Sequence, residues 1–352
     1  MKKFLSLILA TAMIATLFIG TSVFAAESSS SSSAEEEGST DTYVFTYATV
    51  DAEGSDHDRL VESKLKELLE EKSGGRMTLE VYYSSSLTGV GSTLDGIKDG
   101  TVDMGYDACG FYGAVFPYTE LFSVPCLYFG DSYEASEVLR EFDKVYTDEV
   151  LEDYHIMARF IGETMCLFVK DADPIKSPAD VAGKTFRTTG SNQALIEACG
   201  GAGQGMPSAD VYEALRLNVI DGAVSNFGAL ITFNYGEVTK ACTPLPMIYS
   251  EGTVFMNKDL YESMNEYDQK IFDEVCEEFQ ASFMDYNAWN KENVENYIKE
   301  NYPDFIVYEL TDEEIAEFVK LGEANLEKKA KELDELGLDG TGAMEWLKEH
   351  AK

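Results

Sequence analysis

Short runs of β-strand character alternate with amphipathic helical stretches along most of this 352-residue chain, and no other feature restricts the fold as much. "YVFTYATV" (43–50) alternates apolar and polar residues and predicts a first strand. A helix follows from about residue 55, capped by Ser55 or Asp56, with Leu60, Leu65, Leu68 and Leu69 on its apolar face and Gly74–Gly75 as its stop. "MTLEVYY" (77–83) reads as a second strand, "GSTLDGIKDG" (91–100) as a short helix and "VDMGYD" (102–107) as a third strand. The middle of the chain repeats the pattern. Strand "MCLFVK" (165–170) is followed by a capped turn "SPADVAG" (177–183), strand "KTFRT" (184–188) and helix "SNQALIEACG" (191–200). "SADVYEALRLNVIDGAVS" (208–225) is a helix that runs into a strand. After the strand-like "EGTVFMN" (251–257), apolar residues at Ile271, Val275, Phe279, Phe283 and Met284 predict one long helix over about 266–300. "FIVYEL" (305–310) is a further strand, and a Thr311-x-x-Glu314 capping box opens a helix over 311–333. This grammar points to an α/β fold with parallel pairing. Roughly 310 residues organised in this way suggest two lobes, and several crossings between them would leave a cleft.

The N-terminus has a different character. Lys2 and Lys3 precede the apolar run "FLSLILATAMIATLFIG" and the small-residue stretch "TSVFAAES", the order of a secretory signal peptide that ends at Ala25 or Ala26. A retained membrane anchor is the alternative, since the run is just long enough to span a bilayer. No cysteine lies near the cleavage region, so lipoprotein attachment is not expected and an extracytoplasmic location is. The Ser/Glu-rich segment 26–42 cannot bury apolar surface and reads as a flexible linker. The expected organisation is signal peptide 1–25, linker 26–42, lobe 1 over 43–161 completed by about 251–290, and lobe 2 over 162–250 completed by about 291–352.

The formal charge is −37, and −39 once Lys2 and Lys3 leave with the signal. A surface this acidic excludes nucleic acid as a partner and disfavours anionic lipid. An anion site therefore needs a local positive feature, and only six arginines are available to supply one. Arg187 is the best placed. It stands near the end of a strand, where α/β sheets bind ligands, and the next helix opens at Thr189-Gly190-Ser191 with free N–H groups close by. A guanidinium fork there is a bidentate receptor for a carboxylate; the plainer alternative is a salt bridge to one of 64 acidic residues. The six cysteines lack CxxC spacing and read mostly as small buried apolar residues, with one pair able to bridge in an oxidising compartment. His57, His155 and His350 are too scattered for a zinc site or a triad and read as surface residues. "GGAGQG" (200–205) lacks the setting of a dinucleotide loop and reads as a helix stop and turn. With no serine elbow, histidine pairing or metal-ligand spacing, neither an enzyme nor a cofactor or metal is expected.

Four stretches add a family resemblance: "LEEKSGGRMTLEVYYSSSLTGVGSTLDGIKDGTVDMGY", "VFPYTELFSVPCLY", "IKSPADVAGKTFRTTG" and "MPSADVYEALRLNVIDGAVSN". In that order and spacing, from about Tyr43 to the C-terminus, the chain resembles the extracytoplasmic solute-binding subunits of TRAP (tripartite ATP-independent periplasmic) transporters. The resemblance implies a two-lobed periplasmic-binding-protein-like fold with a ligand cleft between lobes and a long helix spanning both. It implies capture of a small organic acid by hinge closure and delivery to sodium-driven membrane subunits. It also implies that Arg187 binds the ligand carboxylate and that Ser225, with Asn226 beside it, contacts the ligand. Departures narrow the ligand. Glu163 and Thr164 stand where sialic-acid-type members carry a second arginine, and their acid and arginine after the third strand fall on Ala108 and Phe111, beside Tyr106 and Asp107. A sialic acid is therefore disfavoured, and a monocarboxylate with an apolar or amine-bearing body fits better. Phe227, Phe111 and Tyr106 either line the pocket or belong to the core; Tyr249 and Glu251, at the second crossing, are further pocket candidates. A receptor presenting the acid to a sensor kinase shares these features, and an exported enzyme is the remaining alternative.

Overall fold

The computed structural model describes residues 39–352 apart from Val90, Thr164 and residues 189–191; the side chains of Phe111, Ala114 and Ala209 are also outside the description. The expected signal peptide and nearly all of the linker therefore lie outside the described residues. The chain runs through β1 (Tyr43–Ala48), a π-helical turn (Asp58–Glu62) continuing as α1 (Ser63–Ser73), β2 (Met77–Tyr82), α2 (Thr93–Lys98) and β3 (Met104–Asp107). Next come α3 (Pro117–Phe122), α4 (Ser132–Asp143), β4 (Tyr154–Ile161), β5 (Met165–Val169), β6 (Thr185–Thr188) and α5 (Asn192–Ala198). These lead to β7 (Ala202–Gly205), α6 (Ser208–Arg216), β8 (Gly222–Asn226), α7 (Ala229–Thr232) and β9 (Ala241–Pro244). The last part comprises β10 (Glu251–Asn257), α8 (Lys258–Ser263), α9 (Glu266–Asn301), β11 (Ile306–Val307), α10 (Asp312–Glu335) and α11 (Gly340–His350).

Two sheets result, in the orders β2-β1-β3-β10-β4 and β11-β9-β5-β8-β6-β7. Pairing is parallel as expected except around one strand in each sheet. β10 runs antiparallel to β3 and β4, and β5 runs antiparallel to β8 and β9. The physical reason is connectivity. A parallel neighbour needs a long crossover, usually a helix, whereas β5 and β10 are entered directly from the other lobe through residues 162–164 and 245–250. Each therefore starts at the edge where its parallel neighbours end.

Local chemistry sets the element boundaries. Gly74, at φ 65°, lies in the left-handed region and closes α1 with two bonds, Gly75 N–H to Glu70 O and Gly74 N–H to Glu71 O, the pairing of a Schellman cap. The Thr311–Glu314 capping box forms at the start of α10 as read from the sequence. α9 is 36 residues, or ~54 Å at 1.5 Å per residue, and serves both lobes. Its Phe272, Val275, Phe279 and Phe283 pack with Phe45 of β1 and Leu65 and Leu68 of α1 in the first lobe, while Val294 and Ile298 pack with Phe168 of β5, Val211 of α6 and Tyr235 in the second.

Several expectations change. "GGAGQG" is more than a stop and turn, because its last four residues form the edge strand β7. Its glycines admit α5 at close range: a Cβ on Gly203 would lie 2.7 Å from Gln193 Cγ. "FIVYEL" contracts to the two residues of β11. The segment 291–352 does not all join the second lobe. Phe318 of α10 packs there, but Leu326, Ala330, Leu333, Ala343 and Leu347 pack against Leu121, Phe122 and Leu139 of α3 and α4 in the first. All six cysteines are buried and none forms a disulfide. Among the described residues no helix is long and apolar enough to cross a membrane.

Candidate functional site

The topology brings two strand edges together. In the second sheet the carboxyl ends of β6, β7 and β8 lie at one edge, because Thr188 pairs with Gly205 and Asn226 pairs with Met165, the first residue after a crossing. In the first sheet the end of β4, Ile161, pairs with Glu251, the first residue of β10, and Asp107 at the end of β3 pairs with Thr253. The chain passes between the sheets at these same edges, so the carboxyl ends of both sets of parallel strands flank the crossings, the position where open α/β sheets bind ligands.

Arg187 lies one residue from the end of β6 and is 6% exposed. Its Nε donates to Met206 O (3.1 Å), Nη1 to Val224 O (3.0 Å) and Nη2 to Ser208 Oγ (3.0 Å). All three acceptors are neutral. Among the described residues no carboxylate comes within ion-pair range of the guanidinium. Burial works against its charge and lowers its pKa, with Tyr235 as the compensating neighbour. Of five N–H donors, three are engaged and, among the described residues, two find no acceptor. The Thr189–Ser191 turn lies outside the described residues; the helix start that meets Arg187 is that of α6, at Ser208.

Around this group stand Ser225, buried on β8, and Asn226, half-buried at its end. Tyr235 was not legible as a site residue. It is fully buried, yet its hydroxyl finds no hydrogen-bond partner among the described residues, and Arg187 and Ser225 are its polar neighbours. Burial raises its pKa. Phe227 belongs to the apolar core behind β8, with Phe168 and Leu230.

The first-lobe candidates divide. Tyr106 lies over Phe160 (6.0 Å between ring centres) and near Phe283, and burial, then Glu251 and Asp51, raise its hydroxyl pKa. Asp107 accepts from Gly91 N, Ala108 N and Tyr112 Oη at 2.8–3.0 Å, so it secures the loop after β3. Glu251 accepts from Gly110 N (3.1 Å); burial pushes its carboxyl up to about 7 in spite of Arg159 nearby. Tyr249 is a core residue, contrary to its expected place in the pocket. Its hydroxyl accepts from Phe129 N (2.7 Å) and its ring packs against Phe122 and Phe129. Thr164 and the Phe111 side chain lie outside the described residues.

A second group at the same edge escaped sequence reading. His57 Nδ1 lies 2.9 and 3.1 Å from the two Glu62 oxygens and 3.3 Å from Asp51 Oδ2. The ring is covered by Tyr286 (4.8 Å, edge-on), Phe283 and Tyr106. His57 is thus no surface residue, and neither is His155, which stacks on Tyr261 at 3.6 Å. Burial works against the His57 imidazolium, but Glu62, Asp51 and Glu163 outweigh it and raise its pKa. Glu163 accepts from Gly228 N (2.9 Å), and a Cβ on Gly228 would lie 2.7 Å from Asn290 Nδ2 and 2.8 Å from Glu163 Oε2. The signal for this group was the spacing of five between His57 and Glu62. A π-helical turn places such a pair on one face, where a 3.6-residue period does not. A separate hollow of about 510 Å³ beneath α10 and α11, lined by Cys126, Leu127, Val319 and Lys348, contains none of these residues.

Comparison with known proteins agrees with this architecture. Residues 48–332 match the bacterial extracellular solute-binding proteins of family 7, DctP. The 2,3-diketo-L-gulonate-binding periplasmic protein of Escherichia coli (strain K12) is 26% identical over 217 residues, covering 60% of this chain and 65% of that protein, so the match spans just under two thirds of that relative. The ectoine-binding periplasmic protein TeaA of Halomonas elongata is 24% identical over 348 residues, covering 95% of this chain and 92% of that protein. Among solved structures, a marine-metagenome TRAP solute binding protein specific for aromatic acid ligands, with co-crystallised 3-hydroxybenzoate, superposes with a TM-score of 0.77 at 24% identity, covering 88% of this chain and 98% of that one. These relatives are solute-binding proteins and not enzymes. This chain belongs to the bacterial extracellular solute-binding proteins of family 7.

Proposed function

We propose that this protein is exported through residues 1–25, captures a small organic carboxylate on Arg187 between its two lobes, and hands it to the membrane subunits of a TRAP transporter. One observation carries the reading. In a chain with 64 acidic residues, a buried guanidinium donates to three neutral acceptors and, among the described residues, has no carboxylate partner and two donors to spare. A carboxylate arriving there supplies the missing counter-charge and two lone pairs in the matching fork geometry. The unpartnered Tyr235 hydroxyl, with Ser225 and Asn226, gives further polar contacts on the same face. Closure of the lobes would exclude water and strengthen the ion pair, and the open and closed populations would set the affinity.

A thermal-shift panel of organic acids, after native mass spectrometry of the freshly purified protein, tests this directly. Ligand at a hundred times its Kd raises stability by about 2.7 kcal/mol. Arg187→Ala is expected to weaken binding of any acid found by about 3–5 kcal/mol, by analogy with buried ion pairs. If neutral sugars stabilise the protein and no acid does, the carboxylate reading fails.

A further inference from the structure

The cleft edge across from Arg187 has the opposite character. Asp51, Glu62 and Glu163 gather around one imidazole, so carboxylates outnumber cations there. Arg59, the nearest arginine in sequence, turns away to Asp56 and the ring of Trp289. The back of this pole is incomplete: the Tyr47 hydroxyl is 0% exposed, has Glu62 and Asp51 as charged neighbours, and finds no hydrogen-bond partner among the described residues. The two poles are close enough for one small molecule. Val224, whose carbonyl holds Arg187, and Gly228, whose N–H holds Glu163, are four positions apart on one chain segment, ~13 Å at most when extended.

We propose that the ligand is a zwitterion, with its carboxylate on Arg187 and an organic cation at its other end held by Asp51, Glu62 and Glu163 beside the rings of Tyr106 and Tyr286. The proposal rests on the Arg187 reading and adds the second pole to it. A second carboxylate at this end would meet three like charges, with His57, already engaged by Glu62 and Asp51, as the one basic group at hand. An ammonium or amidinium gains charge-assisted hydrogen bonds from the acids and favourable contact with the aromatic faces. Asp51, His57 and Glu62 also lie within 4.8 Å of one another, a spacing that could admit a metal ion. The direct bonds from His57 Nδ1 to both Glu62 oxygens and the aromatic cover over the ring favour the organic cation.

Calorimetry on the mature protein tests this with matched pairs. 4-Aminobutanoate, 5-aminopentanoate and an amidine-bearing acid are each compared with the same skeleton carrying a methyl in place of the cation, and zinc and manganese chloride are titrated separately. The expected result is that the cation-bearing partner binds at least about tenfold more tightly. Asp51→Asn and Glu163→Gln should reduce that preference while improving binding of the methyl counterpart, because repulsion is relieved. If paired compounds bind equally, or the methyl partner binds better, the zwitterion proposal is overturned and Arg187 stands. If neither class binds, or Arg187→Ala leaves acid binding unaltered, the Arg187 reading falls and this one falls with it. Tight metal binding that His57→Ala abolishes would overturn the organic cation in favour of an ion.

Discussion

Arg159 and Arg187 are both buried, at 4% and 6% exposure, and their charges are held in opposite ways. Arg159 pairs with Asp143 and also donates to Thr119 Oγ1 (2.6 Å), Thr253 Oγ1 (2.9 Å) and Cys109 Sγ (3.4 Å). Its carboxylate partner and neighbours raise its pKa despite burial, whereas burial lowers that of Arg187. One guanidinium is complete within the fold, joining α3, α4, β4 and β10. The other is held in place by neutral acceptors with its charge uncompensated. The difference separates an arginine paired within the structure from one that, on the reading proposed above, is positioned for a guest, and neither burial nor residue type alone could make that distinction.

Exchanging the losses would break the comparison, and this is where the largest effects are expected. Arg159→Met leaves Asp143 buried without its partner and should cost about 3–5 kcal/mol of stability, read as a fall in the urea midpoint. Arg187→Met should change the stability of the ligand-free protein by about 1 kcal/mol or less, because relief from desolvating an unpaired charge offsets three lost hydrogen bonds. The same variant should lose acid binding. If Arg187→Met unfolds the protein as readily as Arg159→Met does, the two arginines are alike and the receptor reading weakens.

The next effect concerns Glu251, which shares the Arg159 region but keeps its proton up to about pH 7. Asp143 carries the negative charge for Arg159, while burial raises Glu251 from an ordinary 4.5 to about 7. The folded state therefore binds this proton more tightly than the unfolded chain does. Its contribution is fully present below about pH 4.5 and is lost as pH rises through about 7, amounting to about 3 kcal/mol. Urea unfolding of wild type and Glu251→Gln at pH 5 and pH 8 should show wild type losing more stability across that interval by about this amount. Other raised carboxylates, Asp51, Asp107, Asp143, Asp148 and Glu163, are common to both proteins and cancel in the difference.

A smaller change sharpens the Arg187 side. Arg187→Lys keeps the charge but removes the planar fork, so the acid found for wild type should bind about 2 kcal/mol more weakly, roughly thirtyfold. Equal affinity would mean that the site recognises charge without geometry.

How far the sequence foresaw these contrasts depends on the range of the signal. The strand-end positions of Arg187, Ser225 and Asn226 were legible because each lies at or next to the end of a short strand-like run, inside blocks that carry the family pattern. α9 was legible from its apolar period. The reversed strands were not: "MCLFV" is buried at every position and looks the same in either direction, and only the short crossing before it decides. His57 and Glu62 were missed because their meeting requires a π-helical turn. Tyr249 was misplaced because its partner, the backbone at Phe129, lies 120 positions away in sequence. Arg159 could not be told from Arg187 by local sequence, since Asp143 reaches the β4 arginine from helix α4.

Tyr235 provides the finest test, because its hydroxyl shares the open valence of Arg187. A buried hydroxyl without a partner is a cost to the ligand-free protein, and the ring is held by Phe168 and Phe233 whether or not the oxygen is present. Tyr235→Phe should therefore leave the melting temperature of the empty protein unchanged or slightly higher. Its effect on binding should have the opposite sign, weakening the acid by about 1 kcal/mol, the worth of one hydrogen bond. The two signs together matter more than either size. A purely structural tyrosine would lose stability and keep its affinity, whereas a group waiting for a ligand gives up affinity and gains or holds stability.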